Sequence, residues 1–161
     1  MNYRHAFHAG NHADVLKHMV LVNLLEALNR KDSPYFVLDT HAGRGHYLLA
    51  SPEARKTSEA EHGVFKLFGQ PQLHPSIEAY LRAVQAHNPV GALVAYPGSP
   101  LLVAQHLREG DRLAACELQP EEAQALRELF HRDARVAVHA RDGYGAIKAL
   151  LPPRIGQVKY G

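Results

Sequence analysis

An α/β fold built on a parallel sheet is predicted by three observations. Runs rich in aromatic and β-branched residues alternate with runs of helical period, the first strand-like run ends directly in a pair of glycines, and two later strand-like runs each lead to an acid. Strands alternating with helices imply parallel, doubly wound packing, in which ligands sit at the carboxyl ends of the strands.

The elements follow in order. Between Asn11 and Arg30, Leu16, Val20, Leu24 and Leu28 recur every four positions with Leu21 and Leu25 beside them, which predicts a helix. Asn11, with Asp14 three residues on, supplies its N-cap. "KDSP" is a turn, and "YFVLD" (35–39) has the content of a buried strand. From about Ser51 the chain becomes polar ("SPEARKTSEAEHG"), then continues as "VFKLFG" and "PSIEAYLRAVQAHNP", where Ile77, Tyr80, Leu81 and Val84 fit i, i+3, i+4, i+7. The organisation is therefore an N-terminal helix and first strand with its glycine turn (1–51), a small helical insertion (52–91), and a continuation of the sheet domain (92–161). In the continuation, "YPGSPLLVAQHLREG" reads as a helix with Ser99 as N-cap, Pro100 at N1 and Gly110 past its end. "RLAACEL" is the second strand, "PEEAQALRELFHRD" a helix opening at Pro120, "RVAVHARDG" the third strand ending at Asp142, and "YGAIKALL" a short helix before Pro152 and Pro153. No internal repeat is present.

The 161 residues are 46% apolar with a formal charge of +2 and a pI near 8.7, which excludes a disordered or fibrous chain. Twelve histidines beside 18 Lys and Arg permit a nucleic-acid partner without requiring one. "MNYRHAFHAG" has no apolar h-region and no stretch approaches ~18 uninterrupted apolar residues, so neither a signal peptide nor a membrane span is expected and the location is cytosolic. The single cysteine, Cys116, lies in the apolar run "LAACEL" and reads as a buried thiol; no disulfide framework or zinc set is available.

The glycine turn "DTHAGRG" has the spacing D-x-x-x-G-x-G, from Asp39 to Gly43 and Gly45. A dinucleotide fingerprint needs a third glycine where Leu48 stands, and a P-loop needs Lys where His46 follows Gly45. A phosphate cradle is thereby disfavoured, and the remaining spacing is that of the first motif of S-adenosylmethionine enzymes. Glu117 and Asp142 follow the next two strands, where carboxylates would accept hydrogen bonds from ribose hydroxyls and an adenine amine. Gly43 and Glu117 are 74 residues apart, against ~20 in a simple dinucleotide unit, and the insertion accounts for the excess.

The N-terminal stretch "YRHAFHAGNHADVLKH" carries histidines at 5, 8, 12 and 18 with Tyr3, Arg4 and Lys17. Metal ligands, a solvated helix surface and an RNA contact are three readings of it. His8 and His12 have i, i+4 spacing without the Glu that a metalloprotease helix needs. For RNA, Arg4 can pair phosphates and Tyr3 can stack on a base.

"YRHAFHAGNHADVLKH", "LDTHAGRGHY", "YPGSPLL" and the "DG" after the third strand together resemble the ribosomal RNA large subunit methyltransferase J family, in matching order from Tyr3 to about Pro153. The resemblance implies a Rossmann-like S-adenosylmethionine-dependent methyltransferase fold with an inserted helical subdomain, acting on N6 of one adenine in 23S ribosomal RNA. It implies cofactor contacts at His18, His41, Ser99, Glu117, Asp142 and Gly143, beside Gly43 of the glycine turn, with Tyr3 toward the RNA.

One departure stands against these matches. N6-adenine methyltransferases carry [DN]-P-P-[YF] after the fourth strand, where the acid and a proline carbonyl orient the amine and the aromatic stacks on the flipped base. "LPPR" at Leu151 lacks both the acid and the aromatic, so the expectation is a C-terminally truncated member without its catalytic acid. A SAM- or RNA-binding remnant without turnover is the alternative, and a histidine-rich metal protein a third. Loss of the fourth strand would also leave the first strand with an open edge, through which self-association is expected.

Overall fold

Three of the strand-like runs pair in parallel, as the alternation predicts. The computed structural model describes residues 5–50 and 59–154. In chain order, after one turn of 3-10 helix at His5–Phe7, the elements are α1 (His12–Asn29), β1 (Phe36–Asp39), β2 (His46–Leu48), α2 (Glu59–His62), α3 (Val64–Leu67), α4 (Pro75–Gln85), β3 (Ala95–Pro97), α5 (Ser99–His106), β4 (Arg112–Cys116), α6 (Pro120–Phe130), β5 (Val136–His139) and α7 (Gly143–Leu150). The chain divides into two compact units, Met1–Leu24 with His46–Pro97, and Leu25–Gly45 with Gly98–Gly161.

The second unit holds the parallel sheet, in the order β1-β4-β5. Leu38 pairs with Ala114, and Ala114 in turn with Ala137. Central β4 is apolar because both its faces are covered: Leu113, Ala114, Ala115 and Cys116 are all buried. Burial also pushes the Cys116 thiol above its ordinary value, which agrees with an inert core cysteine. The core is completed by Leu102 and Val103 of α5, Ala123, Leu126 and Phe130 of α6, and Ala146 of α7. Phe36, Val37 and Leu38 of β1 are only half-buried, and among the described residues β1 pairs along one edge, with β4.

The turn into β1 is locked by a buried acid that the sequence reading did not single out. Asp111, fully buried, accepts from the Tyr35 amide at 2.9 Å and from the Arg108 amide and Nε at 2.8 Å each. The same guanidinium donates to the carbonyls of Lys31 at 2.5 Å and Ser33 at 2.9 Å, closing the "KDSP" turn. Burial alone would raise the Asp111 carboxyl, but the bonds from Arg108 and the two backbone amides outweigh it and hold the group below the usual aspartate range. The ring also corrects the expected end of α5. The helix stops at His106, well before Gly110, because the Arg108 amide turns to Asp111. At its start, Gly98 occupies the N-cap and Ser99 is the first helical residue.

The first unit contains a second sheet, the antiparallel pair β2 and β3, with Tyr47 opposite Tyr96. Three-residue strands embedded in a glycine turn and in "YPGSP" carry no readable period, and the sequence reading did not include them. In α4, Tyr80 and Val84 are buried, as the period predicts. α1 starts where expected: Asn11 Oδ1 accepts the Asp14 amide at 2.9 Å, and Asp14 Oδ2 accepts the Gly10 amide at 3.1 Å. Its apolar stripe is nevertheless turned the other way. Leu16, Val20 and Leu24 are 63%, 62% and 55% exposed, while Val15, His18 and Val22 are buried. α1 is apolar on two faces, so spacing alone does not identify the buried one; the hydrogen-bonded His18 lies on that face. Among the described residues no helix is long and apolar enough to cross a membrane.

Candidate functional site

β1 ends at Asp39, and the chain turns through Thr40–Gly45 at the carboxyl end of the sheet. Gly43 and Gly45 have φ of +65° and +81°, a region that side chains rarely adopt and glycine enters freely. Asp39 anchors the start of the turn, its Oδ2 accepting the Ser99 hydroxyl at 2.6 Å and its Oδ1 the His41 amide at 3.2 Å. The Ala42 amide donates to the Cys116 carbonyl at 3.0 Å, and the Gly98 amide donates to the Gly45 carbonyl at 2.8 Å.

Glu117, immediately after β4, reaches the same turn. Its Oε2 accepts the Gly43 amide at 2.9 Å, while its Oε1 accepts the Gln119 amide at 2.7 Å. Its own amide donates to the His139 carbonyl at 3.0 Å, which ties it to the end of β5. Asp142 lies three residues beyond β5 and caps α7, its Oδ2 accepting the Gly145 amide at 2.7 Å. Gly143 packs directly on the turn: a Cβ there would lie 2.0 Å from the Thr40 carbonyl oxygen. His41 is exposed, with its ring 5.1 Å from the Tyr144 ring, edge-on.

A contact outside the sequence reading completes the turn. Arg44 Nε and Nη2 donate to the two carboxylate oxygens of Glu122, at 2.9 and 2.5 Å. Glu122 lies in the first turn of α6, where an acid is ordinarily explained by the helix dipole, so the pair has no separate signal in the sequence.

Six of the seven expected cofactor residues, His41, Gly43, Ser99, Glu117, Asp142 and Gly143, thus lie in one unit and around one turn. The seventh, His18, belongs to the first unit. It is 1% exposed, and its Nδ1 lies 2.8 Å from the Tyr96 hydroxyl, which is 2.9 Å from that of Tyr80. Burial raises both tyrosine hydroxyls well above their ordinary value, so they act as neutral hydrogen-bonding groups. Tyr3 and Arg4 lie outside the described residues. Of the N-terminal histidines, His8 pairs with Glu59 at 2.9 Å and His12 is exposed; among the described residues no three His, Cys, Asp or Glu are placed to hold a metal ion.

Chemically, the arrangement suits a neutral, hydroxyl-bearing ligand more than a phosphate. Three carboxylates, Asp39, Glu117 and Asp142, surround the turn, and the turn's own cation, Arg44, is paired with Glu122. An ionised carboxylate offers about four acceptor sites. Glu117 gives one bond from each oxygen to the backbone and retains capacity for hydroxyl donors. The residues present therefore fit an adenosyl group.

The family model described as ribosomal RNA large subunit methyltransferase D, RlmJ, matches residues 32–157. Among curated proteins, the chain is 46% identical over 153 residues to the ribosomal RNA large subunit methyltransferase J of Escherichia coli K12, covering 95% of this chain and 55% of that protein. It is 44% identical over 155 residues to the protein of the same description from Haemophilus influenzae Rd, covering 96% and 55%. A crystal structure of a Legionella pneumophila Philadelphia 1 protein superposes with a TM-score of 0.82 at 41% identity, covering 91% of this chain and 54% of that one. The chain spans about half the length of the relatives it matches.

Proposed function

The chain belongs to the ribosomal RNA large subunit methyltransferase J family, and from that premise we propose that it is the S-adenosylmethionine-binding part of an enzyme that methylates N6 of an adenine in 23S ribosomal RNA in the cytoplasm. The observation that carries the cofactor assignment is the meeting of the glycine turn with Glu117 and with the Asp142–Gly143 pair. Glu117 serves the ribose hydroxyls, Asp142 and the Gly143 amide the adenine edge, and His41 and Ser99 the remaining polar groups. For His18, in the other unit, a cofactor role is what the family resemblance implies. S-adenosylmethionine supplies an electrophilic methyl on a sulfonium. What these residues contribute is orientation, which is the larger need of a transfer without strong acid-base chemistry.

The RNA side of this reading rests on Tyr3, for stacking on a base, and Arg4, for a phosphate. A binding protein without turnover is the second reading; these 161 residues contain no [DN]-P-P-[YF] tetrapeptide. Labelled S-adenosylmethionine with 23S ribosomal RNA separates the two: the chain alone is expected to leave adenine N6 unlabelled, and label there overturns the view that the tetrapeptide is required. The cofactor assignment is tested by calorimetry with S-adenosylhomocysteine. Glu117→Ala should weaken binding by about 1–3 kcal/mol, the loss of a charged acceptor; unchanged affinity would remove Glu117 from the ribose.

A further inference from the structure

Helix α6 presents Glu122, Leu126 and Leu129 at i, i+4 and i+7, which is a single stripe of a helix, and all three meet the glycine turn. Glu122 holds Arg44 through both carboxylate oxygens. Leu126 and Leu129 close on Gly45, where an added Cβ would lie 3.0 and 2.8 Å from their methyl carbons. The turn needs such an external support. Arg44 stands between two glycines in left-handed conformations, so the backbone on either side of it is less restricted than at residues carrying a side chain. Amides and carbonyls hold Ala42, Gly43 and Gly45, and the Arg44 side chain adds a hold from outside the turn. A planar guanidinium on a planar carboxylate specifies direction as well as distance.

We propose that the Arg44–Glu122 pair is a positioning device for the cofactor turn: α6 sets the backbone geometry that Gly43 and Gly45 present to the adenosyl ligand. This rests on the cofactor reading above. It joins two parts of the site through one element, because the segment that delivers Glu117 continues directly into the helix that orients the turn. A rival explanation places Glu122 in the first turn of α6 only to complement the helix dipole. Glu121 is its exposed neighbour in the same turn and serves as the control for that explanation.

The experiment titrates S-adenosylhomocysteine into the wild-type chain and into Glu122→Gln, Arg44→Gln, the double variant and Glu121→Gln, with thermal melting of each. Glu122→Gln and Arg44→Gln are each expected to lose about three- to tenfold in affinity, and the double variant no more than either single one, since the two side chains act as a unit. Glu121→Gln should keep wild-type affinity and lower the melting temperature less than Glu122→Gln, since it loses only the interaction with the helix dipole. Amide exchange of Gly43 to Gly45 without ligand should speed up on the order of fivefold in Glu122→Gln alone among the glutamate variants. Wild-type affinity in Glu122→Gln together with unchanged exchange overturns the proposal, as does an equal loss of affinity in Glu121→Gln. A wild-type chain that takes up no S-adenosylhomocysteine counts against the cofactor reading instead, and the exchange rates then decide the positioning role by themselves.

Discussion

Replacing Gly143 by alanine isolates the closest approach in the site. Gly143 opens α7 with an ordinary helical backbone, so alanine meets no conformational barrier there, and the whole cost is steric. The new Cβ would lie 2.0 Å from the Thr40 carbonyl oxygen and 2.7 Å from the Thr40 carbonyl carbon. Both are backbone atoms, and no rotamer relieves them. Restoring an acceptable separation of about 3.0 Å requires α7 and the start of the glycine turn to part by about 1 Å, an overpacking cost of about 2–3 kcal/mol. Alanine recovers part of this, about 0.4–1 kcal/mol, by restricting the unfolded chain. The net loss should be about 2 kcal/mol, or a fall in melting temperature of about 4–8 °C for a chain of this size. Urea unfolding followed by circular dichroism measures it, with Gly145→Ala as the internal comparison. Two residues along the same helix, the nearest atoms to that Cβ are the ends of the Asp142 and Arg141 side chains at 3.3 and 3.6 Å, and the nearer is relieved by a shift of a few tenths of an ångström, small enough to keep the Asp142 cap bond. Gly145→Ala should stay within about 0.5 kcal/mol of wild type. Equal effects at the two positions would refute the steric reasoning.

Asp111→Asn should destabilise the chain by about 2–3 kcal/mol in urea, because it leaves donors of Arg108 facing an amide inside a buried ring; a change under about 0.5 kcal/mol would deny the ring its role. The native carboxyls of Asp111 and Asp133 lie below their ordinary values. Their stabilisation is therefore present above an unfolded aspartate value of about 3.9 and is lost as pH falls through the native ones, so wild-type melting temperature should drop below about pH 4 and Asp111→Asn should drop less steeply. Self-association through residues 35–39 should appear in light scattering as mass rising with concentration and should diminish in Val37→Lys, since a lysine blunts an open strand edge; a wild-type chain monomeric throughout would dismiss it.

The parallel strands and long helices were legible because each is marked by composition or by chemistry at its ends. "YFVLD" and "RLAACEL" are apolar on both faces, and Asn11 and Pro120 sit where the helices begin. The glycine turn and Glu117 were legible for the same reason, being punctuation at strand ends, whereas Asp142, expected to end the third strand, lies three residues past it as the cap of α7. What was hidden depends on partners far along the chain. The buried face of α1 is decided by neighbours, since both of its faces are apolar. Arg44 and Glu122 are 78 residues apart, and each has an ordinary local explanation. β2 and β3 gain their identity from each other, across some fifty positions that no short window spans.

The bond between the Gly98 amide and the Gly45 carbonyl bears on how the chain tolerates change in length. Residues 46–97 leave the parallel-sheet unit beside Gly45 and return beside Gly98, two points held 2.8 Å apart. The connection behaves as a closed loop whose ends are already joined, and the entropic cost of a loop grows only logarithmically with its length. Residues added between Ala50 and Leu93 should therefore leave the register of β1 against β4 unchanged. Homologous chains should differ most in length there, and a peptide tag spliced into that loop should leave the melting of the sheet almost unchanged.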